Sequence, residues 1–585
     1  MTSITIAPGQ TVGHQTTGTA SPGTIDNFGT IQDTRTVGSA AYIGDGGILT
    51  NEAGALVTGN HTGVAIQHGF GQVSNSGTIQ AVGGGATGTG VYMDAGGIVT
   101  NYSSGVIYTN SNAGVFIKGG LGTLDNRGMI QTQETNSPAV NIVSGGSVIN
   151  TGSIAAMRTG VAFEAGGSLD NSGSISSTGV SVGSGVYVAA GGQLTNRSGA
   201  QVSADRAAVF FGNTLGTSAA AMVTNLAGAT LTGDKGVNVN ALDTANNTVV
   251  NAGAIVGTGG TAVSFGSGDD LLVVNPGATF SGIVDGGTGN NTIELAAGGA
   301  GELNGLGTQF VNFSAVALDS GSAWKLDVTN PGSFSGTITG FGATDTIDLV
   351  GQAADGVSYQ NGVLQVTEGS QPVASFTVPG NFNSYSFRLI SDNNGGTDVA
   401  LNDIAVFDTT TQKSIPASGQ PYSGPVKGLQ QQYIYSGSDN VNISVSDDNW
   451  FLHAGPGEDA IQAHGGYNVL DGGTGSNFLT GGSGTDTFFV DDRNPSADIW
   501  STANAFHQGD DATVFGITSA ANVQWFDGQG ATGYTGLTMH VSEANQTASL
   551  TLPGYSVSDL SNGRLTVGFG SEPDSTPFMH IIAQG

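Results

Sequence analysis

Short apolar runs of three to five residues alternate with Gly, Ser, Thr and Asn along the first half of the chain, and they recur in a fixed order. One run precedes an Asn, as in GGILTN (46–51), GGIVTN (96–101) and GGSLDN (166–171). A second follows it, as in SGTI (76–79), RGMI (127–130) and SGSI (172–175). A third starts near a Gly-Val pair, at Val64, Val91, Val115, Val161 and Val186. Runs this short, punctuated by Gly, suit strands and tight turns rather than helices. The Asn, with Gly two to four residues on, recurs as Asn27, Asn51, Asn75, Asn101, Asn126, Asn150, Asn171, Asn196, Asn225, Asn251 and Asn275, at spacings of 21 to 29 residues.

Three strands in about 25 residues predict one coil of a right-handed parallel β-helix. Eleven such coils over residues 1–299 make a rod of roughly 50 Å at a strand spacing of about 4.8 Å. Inward Val, Ile and Leu then stack into a continuous core that no single coil buries alone. Asn and Gly both tolerate positive φ, so the Asn turn is expected there, with its amides hydrogen-bonded up the ladder. The longest spacing implies an insertion near 211–220. A β-sandwich array needs longer strands and no fixed period.

A second period lies in GPGEDAIQAHGGYNVLDGGTGSNFLTGGSGTDTFFV (455–490). Asp459, Asn468, Asn477 and Asp486 fall at intervals of nine, interlocked with Ile461, Leu470, Leu479 and Phe488 at the same interval. GSGDDLLVV (266–274) and GGTGNNTIE (286–294) approach the same pattern. Asp269, Asp270 and Asp285 there are further candidate cation ligands, while Asn290 and Asn291 reduce the charge; a polar turn closing the helix is the alternative. The remaining boundaries follow from these blocks. Residues 300–405 read as a β-rich spacer or assembly domain, 406–430 as a linker, 431–497 as a β-roll and 498–585 as a C-terminal β domain.

Composition narrows the function. Glycine fills 99 of 585 positions and charged residues only 10%, yet 38% of residues are hydrophobic, so a core forms. The net charge of -31, with 13 Lys plus Arg, excludes nucleic acid, whose phosphates need clustered cations. It leaves carboxylates for a divalent cation. Cysteine is absent, so neither disulfides nor thiolate chemistry is available. No 18-residue apolar stretch predicts membrane insertion. MTSITIAPGQ is not a Sec-type leader, so an export address is expected elsewhere.

The nonapeptides closely resemble the RTX repeats of type I-secreted bacterial proteins. That resemblance implies a calcium-bound parallel β-roll in which Gly-rich turns offer carbonyls and Asp offers carboxylates, an oxygen shell that suits Ca²⁺. By position it places Asp459, Asn468, Asn477 and Asp486 as ligands, with Asp471 auxiliary; two of the four being Asn implies lowered affinity or empty sites. Residues 491–585, with ASLTLPGYSVSDLSNGRLTVGFG (548–570), resemble the C-terminal domains of the same class. This implies an uncleaved signal read by the type I secretion machinery, and folding coupled to extracellular calcium. The 25-residue repeats resemble autotransporter-passenger and filamentous-adhesin β-helices across residues 20–295, although no C-terminal membrane barrel follows.

The expected function is therefore a secreted, calcium-stabilised surface or matrix protein, an adhesin without catalysis, partnered by a surface glycan or by itself. A self-assembling filament or surface-layer subunit is one alternative. A polysaccharide-active β-helix enzyme, lyase or C5-epimerase, is another. Against the enzyme, Arg35, Lys118, Arg127, Arg158, Arg197, Arg206 and Lys235 scatter over seven coils without a motif, and His61 and His68 have no carboxylate spaced to orient them. Tyr92, Tyr102, Tyr108, Phe116, Phe163 and Tyr187 are read as core or turn packing rather than as a sugar-stacking strip.

Overall fold

Alternation of small apolar and polar residues gives strands of two to eleven residues, and strands dominate the fold. The computed structural model describes residues 2–18, 21–83, 88–179, 183–212, 219–380, 382, 386–392, 394–415, 417, 419–445, 449–491, 499–541, 548–572 and 575–584. The insertion expected near 211–220 lies largely outside them, over 213–218. Two compact units form, one from residues 1–381 with 389–399, the other from 382–388 with 400–585. Among the described residues the one α-helix is Val557–Asn562, and no helix is long and apolar enough to cross a membrane.

The first unit is a parallel β-solenoid with three strands per coil. Gly47–Asn51, Leu56–Gly59 and Thr62–Ile66 form one such coil, and each pairs in parallel with its counterparts one coil earlier and one later. Register keeps like residues together: Ile25, Leu49, Val73, Val99 and Leu124 stack in one ladder. Ile31, Val57, Ile79, Ile107 and Ile130 stack in the second, and Val64, Val91, Val115 and Val140 in the third. All these side chains are buried. Each such burial contributes about 1.5–3 kcal/mol, but only because the neighbouring coil covers it.

The coil count exceeds the eleven expected. Of the 18 strands in the first sheet, all but the three hairpin strands Gly356–Gln360, Val363–Glu368 and Gln371–Thr377 are rungs, from Thr2–Ile6 to Thr337–Thr339, which makes fifteen. The ladder passes residue 299 without a break, through Thr292–Leu295 and Ala315–Leu318. These rungs escaped the count because they lack the Asn. Ile6 occupies its place before Asn27, and Val274, Leu295 and Leu318 occupy it after Asn251.

Ten asparagines, Asn27 to Asn251, stand in register inside the solenoid, each fully buried. Each Nδ2 up to Asn225 donates to the Oδ1 of the next, at 2.7–3.0 Å over nine links. Asn275 is not the eleventh: Asn251 pairs with Val274, and Asn275 donates instead to the Asn251 carbonyl at 3.3 Å. Nor do the ladder asparagines take positive φ; they end strands in extended backbone, and glycines such as Gly54 and Gly199 make the left-handed turn. Their use is therefore the amide, which satisfies buried turn carbonyls that water does not reach.

Beyond the Asn rungs, Ala300–Asn304, Ala323–Val328 and Thr346–Leu349 form a parallel strip that crowds carboxylates. Asp327 lies in register with Asp348, and its Oδ1 is buried without a partner. Burial, then the charges of Glu302 and Asp348, push Asp327 up to about 6, although Lys325 opposes this. An unfolded Asp titrates near 3.9, so the native state favours the protonated form. Its stabilising contribution is full below that value and disappears as pH rises through about 6. Asp327→Asn should thus raise the unfolding free energy measured with urea at pH 8, by about 1 kcal/mol after allowance for solvent screening, and leave it unchanged at about pH 3. A gain of the same size at both pH values would refute the burial of charge as the cause.

The second unit has two parallel ladders and coils of eighteen residues. Val441–Val445, Ala460–Ala463 and Gly475–Thr480 build one, and Trp450–His453, Val469–Asp471 and Thr487–Asp491 the other. The nine-residue period is thus split between two faces, with Ile461 beside Leu479 and Leu470 beside Phe488. Trp450, Leu452, Ile461, Leu470, Leu479 and Phe488 join one core. Antiparallel strands end the stack, Pro577–Ala583 against Asp511–Phe515 and Gly536–Val541 against Ala548–Pro553. Residues 406–430 carry the short strands Lys413–Ile415 and Gln420–Pro421.

Candidate functional site

In the second unit each predicted ligand position turns inward and binds the coil before it. Asp459 Oδ1 accepts the Val441 N–H at 2.8 Å, Asn468 Oδ1 that of Trp450 at 3.0 Å, and Asn477 Oδ1 that of Asp459 at 3.1 Å. Asp486 Oδ1 accepts that of Asn468 at 3.0 Å, and Asp510 continues the series. The other atom of each side chain separates them. Asn468 Nδ2 donates to the Gly465 carbonyl at 2.8 Å and Asn477 Nδ2 to that of Gly473 at 3.2 Å. Asp486 Oδ2 accepts the Gly482 N–H at 2.8 Å. Asp459 Oδ2 is buried with no partner, and burial pushes that carboxyl up to about 6. Asp471 is committed elsewhere, to the His453 ring at 2.7 Å and the Gly473 N–H at 2.9 Å.

The first unit repeats the motif where its asparagine ladder ends. Asn247 N–H binds Asp270 Oδ1 at 2.6 Å, Asp270 N–H binds Asn291 Oδ1 at 2.9 Å, and Asp270 Oδ2 is again buried and partnerless. Burial pushes Asp270 to about 6 as well. Asp269 accepts the Asn290 N–H at 2.7 Å, and Asp285 accepts from Gly287 at 2.9 Å and from the Asn312 amide at 2.7 Å. Sequence reasoning missed Asn247 and Asp510 as members of this series; the signal was an Asn-Asn or Asp-Asp pair at the start of a short strand, Asn246-Asn247 and Asp510-Asp511.

Around Gly457 the chain passes so close to Asp459 that only glycine fits. A Cβ on Gly457 would lie 2.7 and 3.0 Å from the two Asp459 carboxylate oxygens and 3.1 Å from the Asp439 carbonyl, so these oxygens crowd the glycine backbone. The carboxylate of Asp459 and the Asp439 carbonyl are oxygen donors of the kind a hard cation takes. Among the described residues no three His, Asp or Glu side chains converge, so backbone carbonyls must complete any such shell.

A different arrangement lies on the outer face of the third-strand ladder of the first unit. In each coil the residue after the buried ladder residue, Ala41 in the first and Val in the others, points outward, giving successive rungs of Tyr42, Ala65, Tyr92, Phe116, Asn141, Ala162, Tyr187 and Phe210. Tyr92 lies parallel to Phe116, with ring centroids 5.8 Å apart and planes 12° apart, and Tyr187 to Phe210 likewise at 5.8 Å and 13°. The small residues between the rings leave two open cavities along the face, about 550 Å³ over Ala65 and about 720 Å³ over Asn141 and Ala162.

The scattered cations gather here. Arg35, Arg158 and Arg206 rise from the turn leading into the third strand, and Lys118 follows the strand on the opposite border. Lys118 Nζ sits 5.4 Å from the Tyr92 ring centroid and the Arg206 guanidinium 5.0 Å from that of Phe210. Arg35 is held by the buried Asp33 through a fork of bonds at 2.8–3.1 Å. Lys235 reaches Asn238, one rung beyond Phe210, at 3.2 Å. Arg127 and Arg197 are instead paired elsewhere, with Asp125 and Asp170. His14 and His61 line the first cavity; both His14 ring nitrogens are engaged, by the Ser39 carbonyl and the Thr16 hydroxyl. Two parts of the sequence reading are thereby corrected. Four of the seven cations, Arg35, Lys118, Arg158 and Arg206, do share a face, and Tyr92, Phe116 and Tyr187 are outward, while Phe163 alone of the six aromatics is fully buried. Tyr42, Asn141 and Phe210 had gone unremarked, although their place after a ladder Ala or Val marks them.

Fold and sites define a parallel β-solenoid repeat protein. Compared with family models, curated proteins and solved structures, the chain matches none.

Proposed function

We propose that the protein is a non-catalytic extracellular surface or matrix protein, an adhesin whose first solenoid presents a binding face and whose second unit is calcium-stabilised. The observation that supports this reading is the run of outward rungs from Tyr42 to Phe210, with two open cavities between aromatic rings. Aromatic faces beside amides, hydroxyls and guanidinium groups suit a polyhydroxylated ligand, which offers apolar C–H faces and polar rims together. Export through type I machinery, with calcium folding the second unit outside the cell, belongs to the same reading. Immobilised glycans probed with the purified chain test it, the expected result being retention that Tyr92→Ala weakens. Retention indifferent to Tyr92 would count against this face.

The enzyme reading keeps one supporting observation, that His61, Tyr42, Tyr92 and Lys118 share a cavity. Prolonged incubation with the retained glycan should leave its chain length unchanged. Shortening would replace the adhesin reading with a depolymerase.

The calcium part has its own test. Asn468 and Asn477 make with an amide the turn contact that Asp459 leaves unmade. Calcium should therefore stabilise the wild-type second unit at neutral pH. Asp459→Asn should stabilise it in chelator, by about 1–2 kcal/mol, and remove most of the calcium response. Calorimetry with calcium and with chelator measures both. An unaltered calcium response in the variant would sink Asp459 as a ligand.

A further inference from the structure

We infer that the outer face of the third-strand ladder takes an anionic glycan, a polymer of carboxylated sugars lying along the solenoid; this rests on the reading of that face as a binding surface. The charge balance is the first argument. The residues lining the two cavities include four cations, Arg35, Lys118, Arg158 and Arg206, and a single carboxylate, Glu164. The whole chain has the opposite bias, 13 Lys plus Arg against 44 Asp plus Glu. Even with Arg35 neutralised by Asp33, the face is positive in a strongly negative molecule, and its cations stand on both borders. A polyanion is repelled by most of this surface and attracted here.

Spacing is the second argument. The outward side chains repeat at the rung spacing of about 4.8 Å, close to the length of one sugar ring in a polymer. Phe116 and Tyr187 stand three rungs apart, about 14 Å, and between them Ala162 and Asn141 form a floor. Asn141 is buried, its Nδ2 donates to Glu164 at 3.0 Å, and its Oδ1 has no partner. Arg158 borders the larger cavity and keeps part of its fork free of carboxylate, one Nη being spent on the Asn136 carbonyl at 2.9 Å. Guanidinium groups bind carboxylates in just this forked way.

The test compares oligomers of β-1,4-linked glucuronate with cello-oligomers of equal length, which differ only in carrying CH₂OH for each carboxylate. Affinity is measured by calorimetry on the full chain at low and at high salt. The glucuronate series should bind more tightly, and salt should weaken it. Lys118→Gln/Arg158→Gln/Arg206→Gln should lower its affinity about tenfold or more, with an unchanged circular dichroism spectrum. Arg127→Gln/Arg197→Gln, removing two cations away from the face, should leave affinity as it was. Equal loss in both variants, or tighter binding of the cello-oligomers, overturns the anionic assignment; the second result keeps the binding face. Binding of neither series overturns both.

Discussion

Asn126→Asp is expected to destabilise the first solenoid by about 3–5 kcal/mol, more than Asn126→Leu does. In the native ladder Asn126 Nδ2 donates to Asn150 Oδ1 at 2.7 Å and to the Ser153 carbonyl at 3.2 Å, while its Oδ1 accepts from Asn101 at 2.8 Å. Aspartate keeps the acceptor and loses the donor. An oxygen then faces two oxygens at contact distance, with a charge in a site that water does not reach. Leucine also strands the neighbours, yet brings no charge, and the ladder already tolerates apolar residues at its ends, Ile6 and Val274. Burial raises the folded-state pKa of the new carboxyl above its unfolded value, so the deficit should shrink as pH falls. Thermal melts of the three proteins at pH 8 and pH 5 measure this. Equal melting of wild type and the Asp variant would show the ladder to be mere filler.

Gly146→Ala should cost about 4 kcal/mol or more, a size reached only when backbone must move. Gly146 has φ 151° and opens the strand Gly146–Asn150, in register with Gly122. A Cβ there would lie 1.9 Å from the Gly122 carbonyl oxygen, 2.8 Å from its carbon and 2.9 Å from its nitrogen. All three are backbone atoms of the coil below, so no side-chain rotation relieves the clash. Gly199→Ala is the control. Its φ of 79° carries the same left-handed strain, but nothing lies within 4 Å of its Cβ position. That variant should lose only about 1 kcal/mol. Urea unfolding followed by circular dichroism separates the two, and equal losses would mean that φ strain alone explains the glycine.

Asn126 was visible in the sequence for the right reason, the coil period, and for one wrong reason, positive φ at the Asn; Gly146 was not singled out there. The period could be read because a solenoid contacts only its nearest neighbours, so every coil needs the same residues at the same places. Of the rungs after Asn251, the one ending at Val274 was counted through its neighbour Asn275, while Thr292–Leu295, Ala315–Leu318 and Thr337–Thr339 lack the Asn and were not counted. In the second unit, the nine-residue interval located four inward Asp and Asn positions and missed the fifth, Asp510, which lies off that interval. It did not distinguish Asp486, whose two oxygens both find backbone N–H groups, from Asp459, whose second oxygen finds none.

The sequence by itself determined the coil, its three strands, the buried ladders and the nonapeptide period, because these depend on residues that repeat in adjacent coils. What only the tertiary structure decided is the outer face. Arg35, Lys118, Arg158 and Arg206 are separated by 83, 40 and 48 residues and share no motif, so linear spacing shows them as scatter. Stacking places every coil directly on the last, which turns those separations into a few rungs. A side chain's neighbours there are set by its phase within the coil rather than by its distance along the chain.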